Sequence, residues 1–205
     1  MGKVKLTKGE LKRQRDALRQ YERYLPTLQL KKQQLQLEIL RQLNLLSEKR
    51  NAASKKREAI KAWAGLLSER GINIKQWLIP ERIIAATKNV AGVDLPVFER
   101  IDFVAAEYDL FATPLWVDFA IEALRSLVLL EEDIKTLEKE INILKHELRI
   151  TAQRVNLFEK VKIPEAIEAI RLIKIYIGDQ MANAVGRSKI AKRKIEEAVF
   201  EEVLV

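Results

Sequence analysis

The sequence predicts a mainly α fold: a long antiparallel two-helix coiled-coil hairpin with a small β-hairpin-containing head between the arms. Three observations predict it. Leu127, Leu130, Ile134, Leu137, Ile141, Leu144, Leu148, Thr151, Val155 and Phe158 alternate spacings of three and four, which is a heptad seam. A looser seam near the other end runs through Leu11, Leu18, Tyr21, Leu25, Leu28, Lys32, Leu35, Ile39, Gln42, Leu46, Lys49, Ala53, Lys56, Ile60, Trp63 and Leu67. Between the two lies a segment that keeps neither beat and is long enough to reverse the chain. The expected organisation is an N-terminal coiled-coil arm over 1–70, a head with a short β-hairpin over 71–114, and a C-terminal coiled-coil arm over 115–205.

The first arm has no Gly or Pro from Thr27 to Ala64, so a single helix is expected there, extending back toward Thr7 and kinked at Pro26. Lys32, Gln42, Lys49 and Lys56 weaken its seam without erasing it. Leu30, Leu37, Leu40, Leu43 and Leu45 lie off the seam and should be exposed, so something covers them. A partner is the better candidate, and a head folded back on the arm is the alternative. The pattern breaks between Gly65 and Gly71, and Pro80, Gly92, Pro96 and Pro114 mark the head. Residues 89–93 and 97–103 favour strands, with a turn expected near Asp94 to Pro96 and with Val97, Ile101 and Phe103 on one face. Trp63, Trp77 and Trp116 should pack the junction of arms and head. The second arm runs from about Leu115 to Lys162, meets a break or kink at Pro164, and resumes through Ile167, Ile170, Ile177 and Met181 toward Lys194.

Composition agrees with long helices. Hydrophobic residues make up 48% and charged residues 32%, with seven Gly and five Pro among 205 residues. The absence of cysteine excludes disulfides and cysteine metal sites and fits a reducing compartment. No apolar run approaches the ~20 residues that span a membrane, so a cytoplasmic chain is expected. The net charge of +8 is unevenly placed. Residues 3–23 hold eight Lys/Arg against three acids, and residues 187–194 hold five and none. An antiparallel hairpin is expected to set these segments side by side at one tip, with Glu196, Glu197, Glu201 and Glu202 just beyond. Such a tip suits a polyanion or an acidic protein surface.

Chemistry-bearing constellations are missing from the sequence. No Gly-rich phosphate loop occurs. The single histidine, His146, falls on the outer face of its helix and supports neither a triad nor a zinc site. Glu131, Glu132, Asp133, Glu138 and Glu140 lie beside Lys135 and Lys139 at flanking positions, as solvated paired charges do. No catalytic residue, cofactor or metal is expected.

The run Arg154-Val155-Asn156-Leu157-Phe158-Glu159-Lys160-Val161-Lys162-Ile163-Pro164, followed by Ile167, Ile170 and Ile173, closely resembles the C-terminal signature of the D subunit of the V/A-type rotary ATPases. Arg187-Ser188-Lys189 with Lys192 to Lys194 looks like that family's basic C-terminal helix. Leu6-Thr7-Lys8 with Leu11, Leu18 and Lys31-Lys32 resembles its N-terminal helix, and residues 89–96 its central segment. The chain departs from the family at Leu6, where a Pro is common, at Tyr24-Leu25-Pro26, where a Gly-containing stretch is usual, and at Ala182-Asn183, where a Glu-Arg pair is often seen.

The resemblance implies a non-catalytic central-stalk rotor shaft. Its coiled coil would project into the hexamer of A and B subunits, and its other end, with the F subunit, would dock on the ring-docking subunit. It would couple ATP hydrolysis or synthesis to rotation and to proton or sodium transport, in a cytoplasmic position peripheral to the membrane. Candidate partner contacts are then Leu30, Leu37, Leu40 and Leu43 on the first arm, Val93 and Phe98 in the head, Arg154, Asn156 and Glu159 in the signature, and Arg187, Lys189, Lys192, Arg193 and Lys194 at the tip. The alternative from the residues alone is a coiled-coil nucleic-acid binder or scaffold that uses the basic tip.

Overall fold

The computed structural model describes residues 5–68, 74–109 and 113–203; Lys3 and the break expected at Gly71 lie outside the described residues, as do the side chains of Glu201 and Glu202. Long helices dominate, in the order α1 (Lys8–Lys61), a 3-10 turn (Ala64–Ser68), α2 (Lys75–Leu78), β1 (Pro80–Val90), β2 (Val93–Phe103), α3 (Trp116–Leu157), a π turn (Phe158–Lys162) and α4 (Ile163–Val203). The chain divides into two compact units, one of Lys31–Thr151 and one that combines Met1–Leu30 with Ala152–Val205.

In the first unit, α1 and α3 pair antiparallel, as the ion pairs between them record. Lys31 meets Glu147 at 2.9 Å, Lys49 meets Asp133 at 2.8 Å, and Arg57 meets Glu131 at 2.7 Å, so positions rise along α1 as they fall along α3. The expected beat is the buried one: Leu35, Ile39, Leu46 and Ala53 of α1 and Leu137, Ile141, Leu144 and Thr151 of α3 are buried. Lys56 and Leu67 are exposed, so the first seam fades before the helix turns back. Near the junction, Ile74, Trp77, Val117, Ala120 and Ile121 form a core against which Trp63 and Trp116 pack. The three tryptophans therefore do the junction packing expected of them.

The β-hairpin differs from expectation in two respects. Its strands pair from Pro80↔Phe103 to Val90↔Val93, so the turn is Ala91-Gly92, and Asp94 to Pro96 lie within β2. Ala91 (φ 52) and Gly92 (φ 73) both take positive φ, the geometry of the tight hairpin turns whose twist matches their strands. Asn89 secures the turn: its Oδ1 accepts from the Gly92 N–H at 3.1 Å, and its Nδ2 donates to Asp94 at 2.6 Å. Second, the register shifts between Ile84↔Arg100 and Ala85↔Phe98, leaving Glu99 as an extra residue. This bulge interrupts the alternation on which a common face for Val97, Ile101 and Phe103 depended.

The hairpin lies back along the coiled coil. At its tip, Leu95 is buried with Leu35, Ile39 and Leu144, and Val90, Ala91 and Val93 pack around them. At its root, the Arg125 guanidinium donates to the Val104 carbonyl at 2.6 Å and to the Trp77 carbonyl at 3.1 Å, and sits 5.1 Å from the Phe103 ring centre. From Leu95 to Phe103 the strand spans ~26 Å at about 3.3 Å per residue. The rise of α3 from Arg125 to Leu144 is ~29 Å at about 1.5 Å per residue. The two lengths agree, so the strand reaches from junction to seam without slack.

In the second unit, Thr7 caps α1 by accepting the Glu10 N–H on its Oγ1 at 3.2 Å. The helix then runs unbroken through Pro26. Tyr21 stacks on Phe158 with ring centres 5.4 Å apart, and Ala166, Ala169, Ile170 and Ile173 of α4 are buried. The irregularity expected at Pro164 comes earlier, as the π turn, in which the Ile163 N–H bonds back to the Phe158 carbonyl. A proline has no N–H to give and crowds the carbonyl four residues before it, and the widened turn precedes Pro164 where that conflict arises.

Pairing Tyr21 with Phe158 in an antiparallel coil sets Lys8 level with about Arg171. Arg187 to Lys194 therefore lie roughly 25–35 Å beyond the start of α1 at about 1.5 Å per residue. The two basic segments are successive along this unit and not side by side, because α4 overshoots its partner helix.

Candidate partner-binding surfaces

The candidate contacts fall on four surfaces. The first is the off-seam row of α1. Leu37 and Leu40 are each 58% exposed, and within the first unit they line a groove with Gln33, Gln36, Ile39 and Leu148. Leu43 is exposed on the same helix, and so is Leu30 in the second unit. The head does fold back on the coil, but over Leu35, Ile39 and Leu144, and these leucines stay uncovered.

The second surface is the hairpin. Val93 and Phe98 are half-buried, and Val93 packs against the chain's own seam. The third surrounds the π turn, where Arg154, Asn156 and Glu159 are exposed.

The fourth is the overhang of α4. Beyond Ile173, which is fully buried, every described side chain but the half-buried Ile177 is exposed, including Met181, Val185, Ile195 and Val199. Arg187, Lys189, Lys192, Arg193 and Lys194 are exposed there. Glu196 and Glu197 stand one turn on, 3.6 Å from Lys192 and 3.9 Å from Arg193. Exposed pairs of this kind contribute at most about 1 kcal/mol. The ring contacts Tyr21–Phe158, Trp63–Phe119 and Trp77–Tyr108 all lie outside this run.

Sequence reasoning missed a fifth patch. Ile79, Leu115 and Phe119 are 62%, 91% and 63% exposed near the junction core. The signal was Leu115 immediately before the aromatic start of α3, an apolar residue outside the heptad count. Beside it, the Tyr108 hydroxyl donates to Asp118, and this bond holds the phenol's pKa above its ordinary value.

The acids of α3 divide into two groups. Glu131, Asp133 and Glu138 are bound by Arg57, Lys49 and Arg50 across the coil, and Glu132 binds Lys135 at 2.5 Å. Glu140 breaks the expectation of a solvated flank: it is 4% exposed. Burial, then the charges of Asp133 and Glu38, push its carboxyl above the usual range, against the pull of Lys88. His146 is exposed on the outer face. Among the described residues, no group of three or more His, Asp or Glu could hold a metal ion, and no helix is long and apolar enough to cross a membrane.

A family model for the D subunit of ATP synthase matches residues 10–193. The chain belongs to the ATP synthase D-subunit family. Among its relatives, the V-type ATP synthase D subunit of Borreliella burgdorferi is 45% identical over 195 residues, covering 95% of this chain and 96% of that one. The V-type ATP synthase D subunits of Chlamydia abortus and Chlamydia muridarum are 36% and 33% identical, each over 95% of this chain and 94% and 97% of their own. The family match takes in both helical arms, the hairpin, the signature and most of the α4 overhang. It leaves the nucleic-acid and scaffold alternative without support. As a D subunit, the chain is a member of a V-type ATPase complex, in which a stalk component needs binding faces more than reactive groups.

Proposed function

We propose that this chain is the central rotor shaft of a V/A-type rotary ATPase, coupling ATP hydrolysis or synthesis in a hexamer of A and B subunits to rotation and to proton or sodium transport. The observation that carries this reading is the α4 overhang within a D-subunit sequence: about thirty residues of helix whose described side chains, apolar and basic alike, are exposed but for the half-buried Ile177. On this reading the overhang enters the hexamer, where Arg187, Lys189, Lys192, Arg193 and Lys194 meet acids of the surrounding sleeve. Leu30, Leu37, Leu40 and Leu43 receive the F subunit, and the patch of Ile79, Leu115 and Phe119 faces the ring-docking subunit. The shaft sits on the cytoplasmic side, peripheral to the membrane.

Torque passes along a coil whose arms are tied by charge as well as by packing. The Lys31–Glu147, Lys49–Asp133, Arg50–Glu138 and Arg57–Glu131 pairs join α1 to α3 at intervals, so that one arm resists sliding past the other. The shaft is asymmetric because the hairpin covers one flank of the coil and leaves another bare. An asymmetric axle lets the three catalytic sites of a hexamer occupy different states in turn.

Native mass spectrometry of the purified chain mixed with A–B hexamer and the F subunit tests the reading. A complex containing all the components is expected. A chain cut after Ile173 should retain the F subunit and lose the hexamer. Failure of the full chain to enter any complex would sink the proposal.

A further inference from the structure

The groove on α1 and the seat of the β-hairpin share two walls. Within the first unit, Ile39 and Leu148 line the groove with Gln33, Gln36, Leu37 and Leu40, and the same Ile39 and Leu148 belong to the apolar cluster that holds the hairpin tip through Leu95. Ile39 is buried and Leu148 half-buried, whereas Leu37 and Leu40 stand exposed. Each shared side chain therefore has the hairpin's cluster on one side and the open groove on another.

The seat is thin. Along β1, Pro80, Ile84 and Val90 are half-buried and the rest is exposed, and along β2 the buried side chains are Leu95 toward the tip and Ile101 toward the root. The root is tied by the two Arg125 hydrogen bonds. A two-stranded hairpin by itself is marginal in water, so the tip stays ordered only as firmly as Leu95 is gripped.

The groove's own surface defines what fits it. Among the described residues from Gln33 to Ser47, the exposed positions carry one charge, Arg41, in a chain that is 32% charged, and Arg41 lies 3.5 Å from Glu38. The others are leucines, amides and a serine. The matching occupant is an uncharged helix face that sets apolar side chains against Leu37 and Leu40.

We propose that groove and hairpin form one coupled device: a helix bound in the groove tightens the hairpin tip on the coil, and a seated tip in turn strengthens the hold on that helix. An open groove leaves Ile39 and Leu148 without packing partners on that side. An occupant supplies those partners and confines both side chains, so that Leu95 meets a fixed wall. The coupling is reciprocal by thermodynamic necessity. The occupant's identity rests on the rotor reading, in which it is the F subunit, while the coupling is a property of this chain.

Hydrogen exchange on the full chain tests the device. On binding the purified F subunit, the amides of 86–97 should slow by roughly five-fold or more. Leu95→Ala, which loosens the tip and leaves the groove lining in place, should weaken F-subunit affinity by a factor no larger than that slowing. A second arm needs no partner. The chain has no cysteine, so Q36C carrying a cyclohexyl maleimide fills the groove from within and should slow the same amides, whereas the same group on Q34C, exposed but outside the lining, should leave them unchanged. Unchanged exchange in the Q36C adduct, equal slowing in both adducts, or a Leu95→Ala chain with faster hairpin exchange and full F-subunit affinity would overturn the proposal. An F subunit that does not bind would remove the occupant that the rotor reading supplies, and the adduct pair would still decide the coupling. Helical circular dichroism should match the wild type in every variant.

Discussion

The two compact units treat their apolar surface in opposite ways. In Lys31–Thr151 the chain covers its seam with its own elements, though Leu37, Leu40, Ile79, Leu115 and Phe119 stay exposed: a β-hairpin seats Leu95 over the Leu35, Ile39 and Leu144 layer, a junction core gathers the tryptophans, and four ion pairs run from α1 to α3. In the unit that joins the two ends, burial stops at Ile173, and of the described side chains beyond it only Ile177 is even half-buried. The ion pairs there are local, between residues three or four apart on one helix. The contrast teaches where each helix finds its stability. A solvated helix with only local pairs is marginal in water. On the proposed reading, a surface outside the chain completes the order of the α4 overhang, whereas the hairpin-bearing unit has a packed core of its own.

Core substitutions test this contrast most severely. Leu144→Ala removes a fully buried side chain from the layer under the hairpin and should lower stability by about 2–5 kcal/mol in urea unfolding. Ile173→Ala removes one equally buried. If the units differ in this way, it should speed amide exchange over 163–203 while leaving the main unfolding midpoint nearly in place. Equal midpoint losses in the two variants would erase the distinction. Next in size is hydrogen exchange in the wild-type chain, where amides of 178–203 should exchange on the order of a hundred-fold faster than those of 130–150. Bound to its hexamer, the overhang should lose most of that excess.

Smaller effects sharpen the picture. Thr7→Ala deletes the cap of α1 and should cost about 1 kcal/mol, seen as fraying of the first turn by exchange. Ala91→Gly should stabilise the hairpin by about 0.5–1 kcal/mol, because Ala91 holds a positive φ of 52 that disfavours a side chain. Arg57→Ala should cost less than about 1 kcal/mol, measured by thermal melting, since the Arg57–Glu131 pair is largely exposed. A loss of several kcal/mol there would mean that charge, not packing, holds the coil.

Much of this architecture was legible in the sequence because a coiled coil writes its contacts as a local beat. Leu35, Ile39, Leu46, Leu137, Ile141, Leu144 and Val155 are buried where the beat placed them. The hairpin was legible as two strand-like runs but not in its turn, since Pro96 is as strong a turn signal as Ala91-Gly92. Positive φ at two adjacent residues decides a tight hairpin, and a proline can sit within β2 opposite Thr87. The seating of the hairpin and the burial of Glu140 were not legible, because they depend on residues far apart in sequence meeting on one flank. Of the candidate contacts, Leu37 and Leu40 are exposed as the off-seam count implied, while Val93 serves the hairpin's own packing.

The π turn also bears on chain length. Up to Phe158 the seam counts three and four, and beyond it the buried residues Ala166, Ile170 and Ile173 run one place later than that count, with the small Ala169 still on it. One additional residue in an ordinary α-helix would swing everything after it by about 100° and carry those side chains off the partner. The wide turn takes up the surplus and returns the stripe to its partner helix. Deleting one residue from 159–161 should restore an even count, with the turn closing to plain α-helix and the Ile170–Ile173 face unmoved. At this point the helix can change its length by a single codon without changing its aim.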